Sequence, residues 1–339
     1  MTALPILDLT PFRDDESSAA ADGFLATLRE TCHDVGFFYL SGHGVPEDLS
    51  EGVHDVSREF FALPESERRK ISMENSPHFR GYTPPGGEHT NGRPDLRDEI
   101  DLGPEADPVP VRPGDPAWLW LRGPNQWPAA IPGFRDTVAA WMYEMELLGR
   151  TVLRALALAL GQPGHRFDDW LDPQPEVTAK LVRYLAPSEE FPTDQGVGLH
   201  RDFGLLTFVH QDTVGGLQVE REGTLVDVPK VPGTLVVNLG EMLQLATHGY
   251  LKATVHRVVS PPVGVERISS IYFVNPRLDA TLSPIDLPAD LAADAPGGAS
   301  ADPANPIFAT YGENILKMRL RAHPAVTRRH HSDLMGATH

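Results

Sequence analysis

From Val177 to Asn275 the chain reads as a succession of short β-branched and aromatic runs cut by turns. Strands are predicted over 180–185, 204–210, 216–219, 225–228, 234–238, 254–259 and 268–274, with Val214-Gly215-Gly216 and Val231-Pro232-Gly233 among the turn signals. Strands this short and this evenly spaced suggest a jelly roll or related double sheet. That is the strongest constraint in the sequence, because every other segment must cover such a core or close its ends.

The flanking segments read mostly as helix. Pro5 to Leu9 is an edge strand, and 19–35 is helical with Phe24, Leu25, Leu28 and Cys32 at spacings of three and four. A buried strand at 36–40 and a helix over 47–64 follow. Residues 76–116 are rich in Gly and Pro and read as one long loop, a setting in which functional lids are common. The longest helical pattern is 132–160, where Phe134, Val138, Trp141, Met145, Leu148, Val152 and Leu156 form one apolar stripe and Gly161 is placed to end it. Residues 283–306 read as a surface excursion, and 311–321 as a final helix before a polar tail that includes His330 and His331. The expected fold class is α+β, mainly β. Residues 1–120 form an amino-terminal α/β region packing on a core of 121–339, the two making one compact unit.

Inside the β-rich part, His200 and Asp202 stand two apart at what reads as the start of a strand. Strand side chains alternate faces, so the imidazole and the carboxylate are presented together. A second histidine, His256, lies in another strand-like run. Two histidines and one carboxylate on one face, with coordination positions left open, is a pattern suited to non-haem Fe(II) chemistry. Arg267 and Ser269 again share a face of one strand. An arginine fork in a dry pocket suits a carboxylate better than lysine does, because it binds bidentately and keeps its charge. Asn238 is expected to tie down a turn.

Composition narrows the setting. A formal net charge of −18 argues against a nucleic-acid or anionic-membrane partner. The single cysteine excludes an internal disulfide framework. No secretory signal or membrane-length apolar run is visible. A cytoplasmic protein with a small-molecule partner is expected. The excess of arginine over lysine fits a GC-rich bacterial gene and specialised metabolism.

With these residues in place, the sequence resembles the isopenicillin N synthase-like family of Fe(II)/2-oxoglutarate-dependent dioxygenases. The resemblance runs through Val35-Gly-Phe-Phe-Tyr-Leu-Ser-Gly-His-Gly-Val-Pro46, His200-x-Asp202-x-Gly204-x-x-Thr207, Val237-Asn-Leu-Gly-Glu241, His256-Arg-Val and Arg267-Ile-Ser269. It implies a double-stranded β-helix core, a cupin-like jelly roll, flanked by helices. It further implies Fe(II) on His200, Asp202 and His256, with 2-oxoglutarate and O2 as cosubstrates. The distal carboxylate of 2-oxoglutarate is expected on Arg267 and Ser269, with Tyr184 as a third partner. The implied reaction is hydroxylation of a small organic molecule, with desaturation and ring closure as variants, and release of succinate and CO2. Substrate contacts are expected from Arg80 and Tyr82 in the long loop, from Arg183, and from Phe203 and Phe273 near the metal. Arg201 stands where a small residue such as threonine is common. Two other readings remain open at this point: an iron oxidase that uses O2 without 2-oxoglutarate, and a β-barrel that binds metal or ligand without turnover.

Overall fold

The computed structural model describes residues 4–297 and 307–334. Fourteen strands form in chain order: β1 (Ile6–Asp8), β2 (Phe37–Ser41), β3 (Gly81–Thr83), β4 (His89–Thr90), β5 (Arg93–Pro94), β6 (Arg97–Leu102), β7 (Glu176–Tyr184), β8 (Gln195–His200), β9 (Leu206–Gln211), β10 (Leu217–Arg221), β11 (Thr224–Asp227), β12 (Leu235–Leu239), β13 (His256–Val259) and β14 (Arg267–Asn275). They make an eight-stranded sheet, ordered β1-β2-β12-β9-β14-β7-β6-β3, and a four-stranded sheet, ordered β11-β10-β13-β8. A separate two-stranded hairpin pairs β4 with β5. The jelly-roll core expected from the strand spacing is present.

The large sheet divides its two faces by chemistry. β14 pairs with β7 over nine residues, from Arg267 opposite Tyr184 to Asn275 opposite Glu176, and β6 continues the rows with Arg97 opposite Tyr184 and Glu99 opposite Val182. Alternate residues therefore line opposite faces. One face, with Tyr272, Val274, Leu181 and Phe208, belongs to the larger apolar core that includes the stripe of the helix Phe134–Ala159. Trp141 of that helix meets Tyr272 edge-on at 5.8 Å between ring centres. The other face looks toward the small sheet. Val182, Val209, Val236 and Ile271 form a second core there with Val197, Leu217, Val219 and Val258.

Three expectations are corrected. Residues 76–116 are not one loop, since β3 and β6 extend the large sheet and all six residues of Arg97–Leu102 are buried. The sequence Arg-Asp-Glu-Ile-Asp-Leu hides a strand because four of its six side chains are charged, and these charges are compensated inside the fold rather than by water. β8 was also missed, its pattern interrupted by Gly196 and Gly198. A Cβ at Gly196 would lie 2.9 Å from Tyr184 Cδ1 and 3.1 Å from the Val258 carbonyl oxygen, so the glycine permits close approach. The carboxy-terminal segment is folded as well. Pro324–His330 is helical, and His331 is fully buried, stacked 5.2 Å from Phe79 with its Nε2 2.8 Å from the Pro77 carbonyl oxygen. The excursion expected over 283–306 includes a short helix, Ala289–Asp294, and buries Ile285 and Leu291, while 298–306 lie outside the described residues.

Helix and sheet pack tightly at Gly149, where an added Cβ would lie 2.6 Å from Val274 Cγ2. Gly149→Ala should therefore destabilise: overpacking of about 1–3 kcal/mol outweighs the ~1 kcal/mol that alanine contributes as a helix former. Urea unfolding should show the lower midpoint.

Candidate metal and cosubstrate site

His200 closes β8 and His256 opens β13, and the pairing of these strands sets the two histidines directly opposite each other. Their rings stand 4.2 Å apart, centre to centre. Asp202 sits beyond the end of β8, in the turn leading to β9, and not on a strand as its spacing from His200 suggested. The turn still brings its carboxylate to both rings. Asp202 Oδ1 lies 3.4 Å from His200 Nε2 and 3.6 Å from His256 Nε2.

Each imidazole is oriented by its other nitrogen. His200 Nδ1 is 2.9 Å from the Gly198 carbonyl oxygen, and His256 Nδ1 is 3.1 Å from that of Thr254. A proton on Nδ1 donating to a backbone carbonyl leaves the Nε2 lone pair free toward Asp202, which is the tautomer a metal ligand requires. Asp202 is held from behind, with Oδ2 accepting from Thr207 Oγ1 and, at 2.7 Å, from Asn238 Nδ2. Burial alone would raise this carboxyl, but His256, His200 and the Asn238 hydrogen bond together hold it well below the usual carboxylate range. Burial also lowers His256 to about 4, with His200 adding to the effect. Burial lowers His200, but the hydrogen bond and charge of Asp202 raise it above the ordinary imidazole value, so a metal ion would displace that proton. With it displaced, two imidazoles and an ionised carboxylate are a donor set that fits Fe(II).

On the same side of the large sheet, Arg267 is buried against the Tyr184 ring, its guanidinium carbon 4.6 Å from the ring centre. Its Nε donates to the Val214 carbonyl oxygen at 3.3 Å and its Nη2 to Gln211 Oε1 at 3.3 Å. Nη1 and the hydroxyl of Ser269, both buried, take no hydrogen-bond partner from the described residues. Unpaired buried donors are costly, and a guanidinium with a hydroxyl two residues away matches the needs of a carboxylate. The residues present thus fit 2-oxoglutarate.

The proposed substrate residues divide. Phe203 adjoins Asp202 and stacks 6.2 Å from Tyr311, and Phe273 sits in register between Thr207 and Thr178 on the inner face. Arg80, Tyr82 and Arg183 are not brought to the metal group. Arg183 follows the alternation to the outer face, where it donates to both oxygens of Asp98 at 3.0 and 2.8 Å. Tyr82, opposite Ile100, packs edge-on to Phe60 and accepts from Arg68 at 2.8 Å. Arg80 is buried in an ion pair with Glu176 at 3.0 Å. Arg201 Nε donates to the Ala253 carbonyl oxygen at 3.0 Å. Sequence reasoning missed the role of Thr207 and Asn238 behind Asp202. The available signal was a polar residue inside an apolar strand run, in Leu-Leu-Thr-Phe and Val-Val-Asn-Leu.

Comparison with known proteins agrees with this geometry. Residues 4–130 match the model for the non-haem dioxygenase amino-terminal region, and residues 178–276 match that of the 2OG-Fe(II) oxygenase superfamily. The 2-oxoglutarate-dependent dioxygenase frbJ of Dothideomycetidae sp. is 36% identical, covering 96% of this chain and 90% of that protein. The chain belongs to the 2OG-Fe(II) oxygenase superfamily. A homoarginine-6-hydroxylase of Glycine max is 35% identical over 84% of this chain and 89% of its own length. Among solved structures, a full-length Neurospora crassa protein in complex with alpha-KG and thymine superposes with a TM-score of 0.73 at 25% identity, covering 99% of this chain and 97% of that one. Oxidation of a small molecule with Fe(II), 2-oxoglutarate and O2 is therefore the activity of this chain, and neither of the other two readings is favoured.

Removing either support of Asp202 should weaken the metal. Asn238→Ala and Thr207→Val are each expected to lower Fe(II) affinity about 10- to 100-fold, measured by anaerobic titration of the purified protein.

Proposed function

We propose that His200, Asp202 and His256 would hold Fe(II), that Arg267, Ser269 and Tyr184 would receive the distal carboxylate of 2-oxoglutarate, and that the enzyme hydroxylates a C–H bond of a small organic molecule. The observation that carries this reading is the pair of unpartnered buried donors, Arg267 Nη1 and Ser269 Oγ, on the sheet face that also carries the carboxylate support Thr207. When bound, the iron and 2-oxoglutarate supply O2 activation, with succinate and CO2 as products; the protein contributes orientation and exclusion of water. Tyr184 fixes the guanidinium plane, and Val182, Val209 and Ile271 keep the surroundings of the clamp dry. Phe203 and Phe273 are placed to line the substrate side. An oxidase using O2 alone would turn the same clamp toward its substrate's own carboxylate, and the relatives named as 2-oxoglutarate-dependent weigh against it. A cytoplasmic enzyme of bacterial specialised metabolism completes the proposal, supported by the one buried cysteine and the arginine-rich composition.

Anaerobic addition of Fe(II) and then 2-oxoglutarate should produce the visible charge-transfer absorption of the chelate, and His200→Ala should abolish it. An unchanged absorption in that variant would refute the ligand assignment. Arg267→Lys keeps the charge but loses the fork. It should raise the Kd for 2-oxoglutarate at least about tenfold, the loss expected for one charge-assisted hydrogen bond, as read from the same absorption.

A further inference from the structure

We propose that Glu51, His54 and His210 form a second metal site, on the face of the large sheet turned away from the iron group, and that it takes a divalent ion of the Zn(II) type. Thr207, Val209 and Gln211 of β9 look toward the small sheet, so His210 between them projects to the opposite face. There it meets the helix Glu47–Ala62, whose Glu51 and His54 stand three apart on one side. A nitrogen from each histidine and an oxygen from Glu51 lie within 4.8 Å of one another. His210 Nε2 is 3.6 Å from Glu51 Oε1, and the two imidazole rings are 4.3 Å apart, centre to centre. The iron group has the same dimensions, with 3.4 and 3.6 Å from carboxylate to nitrogen and 4.2 Å between rings.

The buried polar atoms of this layer lack partners. His54 is wholly buried and His210 nearly so. His54 Nε2 lies 3.2 Å from the His210 carbonyl oxygen, which only accepts, so the proton sits on Nε2 and Nδ1 keeps a bare lone pair. A bond of that kind is the outer support a ligating imidazole usually has. No described residue pairs with His54 Nδ1 or His210 Nδ1. The buried hydroxyls of Ser50, four residues before His54, and of Ser270, opposite His210 on β14, are likewise without partners. Unpaired buried polar atoms are costly, and an ion would take up the lone pair that no side chain satisfies. Burial also lowers His54 to about 2 and His210 to about 4, so both rings are neutral when the ion arrives.

Two imidazole nitrogens, one carboxylate oxygen and a fourth position open to water are a Zn(II) donor set, whereas Ca(II) and Mg(II) call for oxygen ligands. The way in is from the Glu51 side, where that side chain is 42% exposed. Lys230 reaches Glu51 there, Nζ to Oε1 at 3.4 Å, and is itself in contact with solvent. It touches one oxygen of one ligand and makes no hydrogen bond to either imidazole. A solvent-facing pair of this kind is worth little, so an arriving ion displaces the ammonium to water. Once held, the ion would tie the helix Glu47–Ala62 to β9, three residues along the strand from Thr207.

The test is titration of the full-length protein, first freed of metal, with Co(II), which reports on a Zn(II) site through its visible absorption. The wild type should take up two equivalents and His210→Gln one. In His200→Ala a single equivalent should remain, and adding His210→Gln should weaken it at least about 100-fold, beyond the loss of an outer partner alone. Glu51→Gln, at the exposed rim, should weaken the same equivalent at least about tenfold, and it supplies the readout should His210→Gln fail to fold. Co(II) uptake that neither His210→Gln nor Glu51→Gln diminishes overturns the inference. A His200→Ala protein that loses no equivalent refutes the iron assignment instead, and the second site then stands or falls on His210 and Glu51.

Discussion

One buried carboxylate decides the geometry at the metal end of the barrel. Asp202 lies past the end of its strand, where the backbone no longer fixes its direction, so side chains must. Thr207 and Asn238 do so from adjacent strands, facing each other across the β9–β12 pairing. The Glu241 amide donates to the Asp202 carbonyl oxygen at 2.8 Å and pins the main chain of the turn. Oδ1 is then left toward both imidazoles while Oδ2 is occupied. A one-residue slip of β9 against β12 would turn Thr207 and Asn238 to opposite faces and leave the carboxylate unsupported, so strand register and ligand geometry are one constraint.

The same alternation explains how much of the site could be read from sequence. Arg267 and Ser269 were legible because both are polar in an apolar strand and two residues apart, and His256 because it opens a β-branched run. The long helix and most strands of the core were legible from periodicity. Asp202 was found for an incorrect reason: it does not extend the strand of His200, and the turn does what strand geometry was expected to do.

What was not legible depended on partners distant in sequence. β6 carries a run of charges that no propensity scale assigns to a buried strand, and its neighbours on β7, Arg68, the Glu88 segment and the helix Tyr311–Ala322 make it tolerable. Arg80, Tyr82 and Arg183 looked available because they lie in or near a polar loop or beside Tyr184. Arg183 is one residue from a residue on the clamp face, and in a strand that single step sends it to the opposite side. Among polar side chains, identity alone does not distinguish a ligand contact from a structural ion pair; face and partner do.

Charge balance separates the two kinds of buried network here. On the outer face, Arg68 and Arg183 meet Asp98 and Glu266, two cations with two carboxylates, and Tyr82 is the neutral member. Arg80 and Glu176 close one to one. Such closed sets lose little by burial, since each charge is neutralised by its neighbours, and apolar residues of like volume would serve as well or better for stability. The inner-face set is different, with four carboxylates, Glu88, Asp95, Glu99 and Asp101, three cations, Arg97, Lys180 and Arg319, and one oxygen, Glu99 Oε2, left without a hydrogen bond. Burial and the neighbouring Glu88 push Glu99 well above the usual carboxylate range, so this set closes by holding a proton where the outer-face set closes by pairing charges, and Arg97 and Lys180 stay within 3.2 Å of Glu99.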